Sequence, residues 1–351
     1  MKRYNNLFGK VCSMDNIAAA HAKAKRGKGY YKEVRMVESN PDFYLQKIRD
    51  MLLNKTFKNS PYKKMSKITD NGKVREILKL PYYPDRIIHH AIMNVIEPIW
   101  FKTLIRDTYS AIKTRGIHDG VTRVKNALQD KENTQFCLKL DVKKYYPSIN
   151  NELLKKVIRK KIKDNNLLWL LDEIINSTKG VPIGNYLSQY FGNLFLSGFD
   201  HWIKEQKREK YYFRYCDDIV ILGRDKAHLH NLRNEIAAYL SIKDLTVKKN
   251  WQIFPVDIRG IDFLGYRFFN NYTLVRKSIS KKLIKRILAI KSNHSRLSTS
   301  QVVNSIMSYM GWLKYGNAKN LFNSVIDNEI FCIVKQKSRQ AGIHNPLQGL
   351  A

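Results

Sequence analysis

Apolar residues recur three and four positions apart in FYLQKIRDMLLN (43–54), and the pattern predicts a mostly helical stretch from residue 1 to about 65, within which AAAHAKAKRGKGYYKE (18–33) is an exposed positive segment. The spacing then shifts. SKITDNGKVREILKLPYYP (66–84) predicts two short strands around the turn Asp70-Asn71-Gly72, a basic hairpin. DRIIHHAIMNVIEPIWFKTL (85–104) returns to helical periodicity, with Asp85 at its start and Pro98 breaking or kinking it near the end. The polar stretch YSAIKTRGIHDGV (109–121) leads into a further helix, and Phe136 to Leu140 forms a strand that stops at Asp141. Helices are expected from about 151 to 176 and from about 226 to 241. Between them, GVPIGNYLSQYFGNLFLSGFDHWIKEQ (180–206) begins as a glycine-containing loop and becomes a long apolar helix, and YYFRYCDDIVIL (211–222) supplies two strand-like runs that meet at two acids. Strands are expected again near LTVKK (245–249) and DFLGYRFF (262–269), and a lysine-rich helical part from about 278. The sum is an α+β chain of short antiparallel strands backed by helices, without repeats or low-complexity linkers.

With 351 residues, 44% of them hydrophobic, the chain has enough apolar material for one large domain or two to three subdomains. Sixty-three lysines and arginines stand against 30 acids, a formal charge of +33 spread over the whole length, and this points to an extended polyanion, DNA or RNA, as partner. No segment approaches the ~20 apolar residues of a membrane span. The four cysteines, Cys12, Cys137, Cys216 and Cys332, lie far apart, with neither zinc spacing nor a disulfide framework, and the N-terminus lacks the apolar core of a secretory signal. A reducing, cytoplasmic setting is expected.

Three acids carry the candidate chemistry: Asp141 at the end of one strand, and Asp217 and Asp218 inside the apolar run RYCDDIVIL (214–222). Two adjacent carboxylates in such a run need a cationic counterpart. Neighbouring strands would bring all three into an anionic cluster suited to Mg²⁺, a hard ion that takes oxygen ligands, and two such ions support phosphoryl transfer. The alternative is that Asp-Asp merely shapes a hairpin turn. His89 and His90 are adjacent on a helix and so point in different directions, which favours packing or RNA contact over joint metal ligation.

At this point the sequence resembles the reverse transcriptases over roughly residues 60 to 325. Tyr215-Cys216-Asp217-Asp218 is similar to the family's Tyr-x-Asp-Asp motif, LKLDVKKYYPSI (138–149) to its first acidic motif, and residues 73–100 to the fingers motif of bacterial and intron-type enzymes. The resemblance implies a right-hand polymerase fold: a basic helical extension over 1–65, fingers over 66–135, palm over 136–272, and a helical thumb and tail over 273–351, with Tyr309 to Leu313 in the thumb. It implies that Asp141, the carbonyl of Val142, and Asp217 bind two Mg²⁺ ions (Mn²⁺ able to replace them), with Asp218 supporting or ligating. Lys73 and Arg75 would clamp the incoming triphosphate. Tyr146 would exclude a ribose 2′-hydroxyl, and Phe263, Leu264, Gly265 and Tyr266 would grip the primer. The lysine that donates a proton to pyrophosphate falls near Trp251, so Lys249, or its neighbour Lys248, is the candidate general acid.

In Val181 to Gln189, Ile183 stands before Gly184 where most bacterial relatives carry glutamine, and Ser188-Gln189 stand where they carry Ser-Pro. This pattern resembles the reverse transcriptases of diversity-generating retroelements. Their activity implies error-prone copying of a template-repeat RNA, with frequent misincorporation opposite adenine, for mutagenic retrohoming. The partners implied are template RNA, a cDNA primer, dNTPs, and an accessory variability protein that forms a basic ring. Isoleucine offers no hydrogen bond, so selection in the pocket loosens. The alternatives are an accurate retron or group II intron enzyme and a nonenzymatic RNA-binding scaffold.

Overall fold

The computed structural model describes residues 2–68, 72, 74–293 and 296–340. The chain divides into two compact units, the first made of Met1–Ile112, Leu140–Lys210 and Leu232–Trp251, the second of Lys113–Lys139, Tyr211–Asn231 and Gln252–Ala351.

Unit 1 is mainly helical, and its helix starts are written in the sequence. Ser13, Asn40, Asn150 and Asp164 each accept a hydrogen bond from a backbone N–H of the first turn they precede. Asp164 does more: its second oxygen accepts from the N–H groups of Leu7 (2.6 Å) and Phe8 (2.8 Å), fastening the N-terminal segment to the helix Asn165–Ile175. The helix Met14–Ala24 buries Ile17, Ala20 and Ala24 against the apolar helix Ile87–Phe101, which presents Ile88, Ala91, Ile92 and Ile96. Each large aliphatic side chain so buried stabilises by ~2 kcal/mol. The hairpin β1 (Lys63–Ile68) and β2 (Val74–Lys79) pairs Lys63 with Lys79 and Ile68 with Val74, and is almost wholly exposed. Asp70 and Asn71 of its expected turn lie outside the described residues. The short strand β3 (Thr108–Tyr109) follows.

Unit 2 holds the start of β4 (Phe136–Asp141) with β5 (Tyr211–Tyr215), β6 (Asp218–Gly223) and β7 (Gln252–Pro255), in the order β5-β6-β4-β7. The apolar runs of β5 and β6 are explained by burial on both faces, with Tyr212, Phe213, Val220 and Ile221 in the core. A second sheet joins β8 (Ile261–Phe263), β9 (Tyr266–Phe268) and β10 (Thr273–Val275) in antiparallel order. The C-terminal helices Lys277–Asn293, Thr299–Leu313, Lys319–Val325 and Asn328–Gln340 close over their own core of Leu283, Ile287, Val302, Ile306, Ile330 and Val334. A Ser298–Gln301 capping box opens the second of them.

Four expectations need correction. LTVKK (245–249) is not a strand: β7 takes the side of β4 over 136–139, and only a single bridge, Val142 to Val247, remains beyond it. The long apolar helix before the acids is broken into Ser188–Phe195, Ser197–His201 and the wide turn Trp202–Gln206, and the Ser197 hydroxyl donates to the Leu194 carbonyl at the first break. The helix Ile87–Phe101 runs through Pro98, its N-terminal boundary being set instead by the turn Tyr82–Arg86. DFLGYRFF is two strands, β8 and β9, joined by Leu264 and Gly265, which both take positive φ (52° and 86°), the conformation of a tight hairpin turn.

Candidate active site

In unit 2 the pairing of Tyr215 with Asp218 leaves Cys216 and Asp217 as a two-residue hairpin turn, and Cys216 adopts φ 54°. A left-handed non-glycine residue is strained unless its surroundings hold it. Arg214, fully buried in β5, does so: its Nη1 donates to the Cys216 carbonyl at 2.9 Å. The two acids therefore lie at the end of the apolar run and are half-buried, so neither carries the full cost of a buried charge. Asp218 also has a cation: Lys139 Nζ lies 3.7 Å from its Oδ1 and donates to the backbone carbonyl of Asp262 on β8. Neither Arg214 nor Lys139 stands out in the sequence as a site residue. An apolar strand with one charged residue two or three positions from an acid was the available signal.

In unit 1 Asp141 ends β4. Its backbone carbonyl accepts from Lys248 N–H (2.8 Å), and its Oδ2 accepts from Lys248 Nζ at 2.6 Å. Of the two lysines considered as proton donor, Lys248 touches this carboxylate while Lys249 is exposed. Val142 is buried beside them. Tyr146 is half-buried, its carbonyl accepting from Val181 N–H (2.9 Å). Its ring fits because residue 192 is glycine, where a Cβ would stand 2.9 Å from Tyr146 Cε1.

The loop Val181–Gln189 is held from two sides. Leu78 of β2 donates its N–H to the Ile183 carbonyl (2.8 Å), and the buried Ser188 hydroxyl donates to the Pro182 carbonyl. Gly184 has φ 112°, and a Cβ there would meet Ile77 Cγ2 at 2.6 Å and Leu78 O at 3.0 Å. The Ile183 side chain is half-exposed, and Gln189 is exposed. The structure thus joins this loop to the basic hairpin, whose Arg75 is exposed; Lys73 lies outside the described residues. Behind the loop His89 is buried, and burial, with His90 and Arg86 nearby, lowers its pKa to about 3 against a hydrogen bond with Asn185. His90 stacks on Tyr186 with ring centroids 3.8 Å apart, and burial first of all lowers it to about 4. Both are neutral packing groups near pH 7.

Phe263, Leu264, Gly265 and Tyr266 are buried. The Tyr266 hydroxyl donates to the Trp312 carbonyl (2.9 Å), and its ring lies 5.4 Å from that of Trp312, whose indole leaves no room for a Cβ at Gly265. These side chains hold the turn in place from below.

Among the described residues no three His, Cys, Asp or Glu side chains lie close enough together to hold a metal ion by themselves. The donors nevertheless fit a hard divalent cation: Asp141 Oδ1 is buried without a hydrogen-bond partner, and the acids at 141, 217 and 218 offer only oxygen.

In unit 2, then, a two-residue hairpin turn carries Asp217 with Asp218 at the head of the next strand, and in unit 1 Asp141 ends β4, within an α+β chain. The chain belongs to the reverse transcriptase family (RNA-dependent DNA polymerase), which it matches over residues 58–268, and the family uses divalent metal ions. It is an RNA-directed DNA polymerase by family. It is 25% identical over 279 residues to "Protein YkfC" of Escherichia coli K12, an alignment covering 66% of this chain and 73% of that protein. It is 22% identical over 174 residues to the "Group II intron-encoded protein LtrA" of Lactococcus lactis, covering 46% of this chain and 28% of that protein, so it spans under a third of the latter's length. Among solved structures it is similar to apo telomerase from Candida tropicalis, with a TM-score of 0.49, 13% identity, and coverage of 82% of this chain and 58% of that one. Among the described residues no helix is long and apolar enough to cross a membrane.

Proposed function

We propose that this protein is the RNA-directed DNA polymerase of a diversity-generating retroelement, copying a template-repeat RNA into adenine-mutagenic cDNA for mutagenic retrohoming. The observation that carries this reading is the loop at Ile183: an apolar, half-exposed side chain stands where most bacterial relatives carry a hydrogen-bonding glutamine, and the loop is tied through Leu78 to β2, the strand that carries Arg75. A pocket that lacks that donor discriminates less between paired and mispaired nucleotides. The partners of this reading are template RNA, the cDNA primer, dNTPs and an accessory variability protein forming a basic ring.

In this reading Asp141, the Val142 carbonyl, Asp217 and Asp218 would hold two Mg²⁺ ions, or Mn²⁺ in their place. The chemistry these ions would supply is activation of an attacking hydroxyl and stabilisation of the leaving oxygen. Arg214 keeps the Cys216-Asp217 turn in its left-handed form, and Lys139 restrains the Asp218 carboxylate. Arg75 and Lys73 receive the triphosphate, and Gly184 and Gln189 border the base. Tyr146 sets the sugar preference. The Leu264–Gly265 turn supports the primer end. A lysine at 248 or 249 supplies the proton to the leaving pyrophosphate, and the contact with Asp141 holds the Lys248 ammonium in place.

The test is to sequence cDNA made by wild type, Ile183→Gln and Asp217→Ala on one adenine-containing RNA with Mg²⁺ and four dNTPs. Frequent errors opposite adenine in wild type that fall in Ile183→Gln, with no product from Asp217→Ala, are expected. Uniformly accurate wild-type cDNA would instead support a retron or group II intron type of enzyme, a reading that the similarity to intron-encoded proteins keeps in view. If no Asp217-dependent synthesis occurred with cognate RNA and partner, an RNA-binding scaffold would be the reading to pursue.

A further inference from the structure

Away from the acids, unit 1 carries a groove between the helix Asn151–Arg159 and the C-terminal end of the helix Lys226–Ser241. Leu153, Lys156, Val157 and Lys160 follow one another at i, i+3, i+4 and i+7, so they form one face of the first helix. Tyr239 near the end of the second helix, and Ile242 and Lys243 in the turn that follows it, line the other side. The hollow encloses about 340 Å³, the size of a small ligand site.

Its chemistry is two-sided. The floor is apolar: Leu153, Val157 and Tyr239 are half-buried, while Ile242 is 81% exposed at the rim, a large exposure for an isoleucine. The rim is cationic, and among the described residues none of Lys156, Lys160 and Lys243 is paired with a carboxylate. The nearby acids are engaged elsewhere: Glu152 meets Lys155 at 2.6 Å, and Asp244 accepts from the Asn150 amide at 2.8 Å. Lys243 lies over the rings of Phe195 and Tyr239, and burial together with Lys160 lowers its pKa. An incoming carboxylate would relieve that repulsion, whereas the bare phosphate backbone of a nucleic acid would leave the apolar floor uncovered.

We propose that this groove is a docking site for an acidic amphipathic segment of a partner protein, its apolar side chains on the Leu153–Val157–Tyr239 floor and its carboxylates on Lys156, Lys160 and Lys243. The mode is a helix laid in a groove. A basic ring protein would be repelled from these lysines, so the occupant differs from the accessory partner proposed above, and the inference stands apart from the retroelement reading.

The test uses a fluorescein-labelled helical peptide with two leucines four residues apart and flanking glutamates, titrated by fluorescence anisotropy into the full-length protein at low and moderate salt. Saturable binding to wild type is expected, weakened about tenfold or more by Lys156→Glu/Lys160→Glu and by Ile242→Asp. Both variants change exposed side chains, and primer extension on a generic template by either one is expected to match wild type, which separates local loss of docking from misfolding or failure of the polymerase. Absence of binding to wild type overturns the proposal. So does equal binding of a peptide with both leucines replaced by serine, which would mean charge alone. Displacement by a single-stranded RNA whose affinity falls in Lys156→Glu/Lys160→Glu but not in Ile242→Asp would overturn it in favour of a phosphate site.

Discussion

The Cys216-Asp217 turn of unit 2 and the Val181–Gln189 loop of unit 1 each contain a residue of positive φ, yet they are held very differently. The turn is flanked by two strands buried on both faces and tied to a fully buried arginine. The loop exposes Gly184 and Gln189 and leans on an exposed hairpin through one backbone hydrogen bond from Leu78. Groups that must hold charge in fixed places need the first arrangement, because misplacement by an ångström costs orders of magnitude in rate. Groups that tune selection work in the second, where a side chain can change without disturbing a core.

The largest break in this comparison is Asp217→Asn. DNA synthesis is expected to fall by ~10³-fold or more, while the unfolding free energy stays within about 0.5 kcal/mol of wild type, because the side chain is half-buried at a turn. A primer-extension assay beside a urea melt reads both, and retained synthesis would remove Asp217 from the chemistry.

Next is Arg214→Met. It leaves the Cys216 carbonyl and the other groups around the buried guanidinium without their donor, so stability should drop by ~3 kcal/mol and synthesis should drop with it. A melt unchanged by this substitution would mean that the strands alone hold the turn.

The loop side has its own signature in pH. His89 is buried neutral, with a folded pKa of about 3 against the ordinary 6.5. Between those values the unfolded chain binds a proton that the folded chain does not, so stability is full above about pH 6.5 and is lost as pH falls toward 3. The expected loss by pH 5 is on the order of 2 kcal/mol, read by denaturant melts at several pH values. His90, lowered to about 4, adds a slope of the same sign, so His89→Asn should reduce the slope over this range rather than abolish it, and an unchanged slope would place the titration elsewhere.

Smallest is Gly184→Ala, where a Cβ meets Ile77 Cγ2 at 2.6 Å and the backbone is left-handed. Ile77 can shift, so about 1 kcal/mol of stability should be lost. The dNTP KM should rise several-fold while kcat changes less, in steady-state primer extension. A kcat effect as large as that of Arg214→Met would erase the distinction between turn and loop.

Much of this was legible along the chain. Periodicity located most of the helices, and the stop of an apolar run at Asp141 and the pair Asp217-Asp218 marked the acids, because burial of strands on both faces demands apolar residues and tolerates charge only at their ends. The Ile183 departure is likewise a property of the sequence alone. Less visible were the breaks after Phe195 and the loss of a strand at 245–249, since a long apolar run looks the same whether one helix or three cover it, and strand propensity does not say which neighbour already occupies an edge.

What the sequence by itself determined is most of the element types and the family. What only the tertiary structure decided is what each cation meets: Lys248 the Asp141 carboxylate, Lys139 the Asp218 carboxylate, and Arg214 the backbone carbonyl of Cys216. Among 63 basic residues, composition cannot choose three. Those pairings join residues 107 and 79 positions apart in two cases and two apart in the third, and only the folded backbone sets such distances.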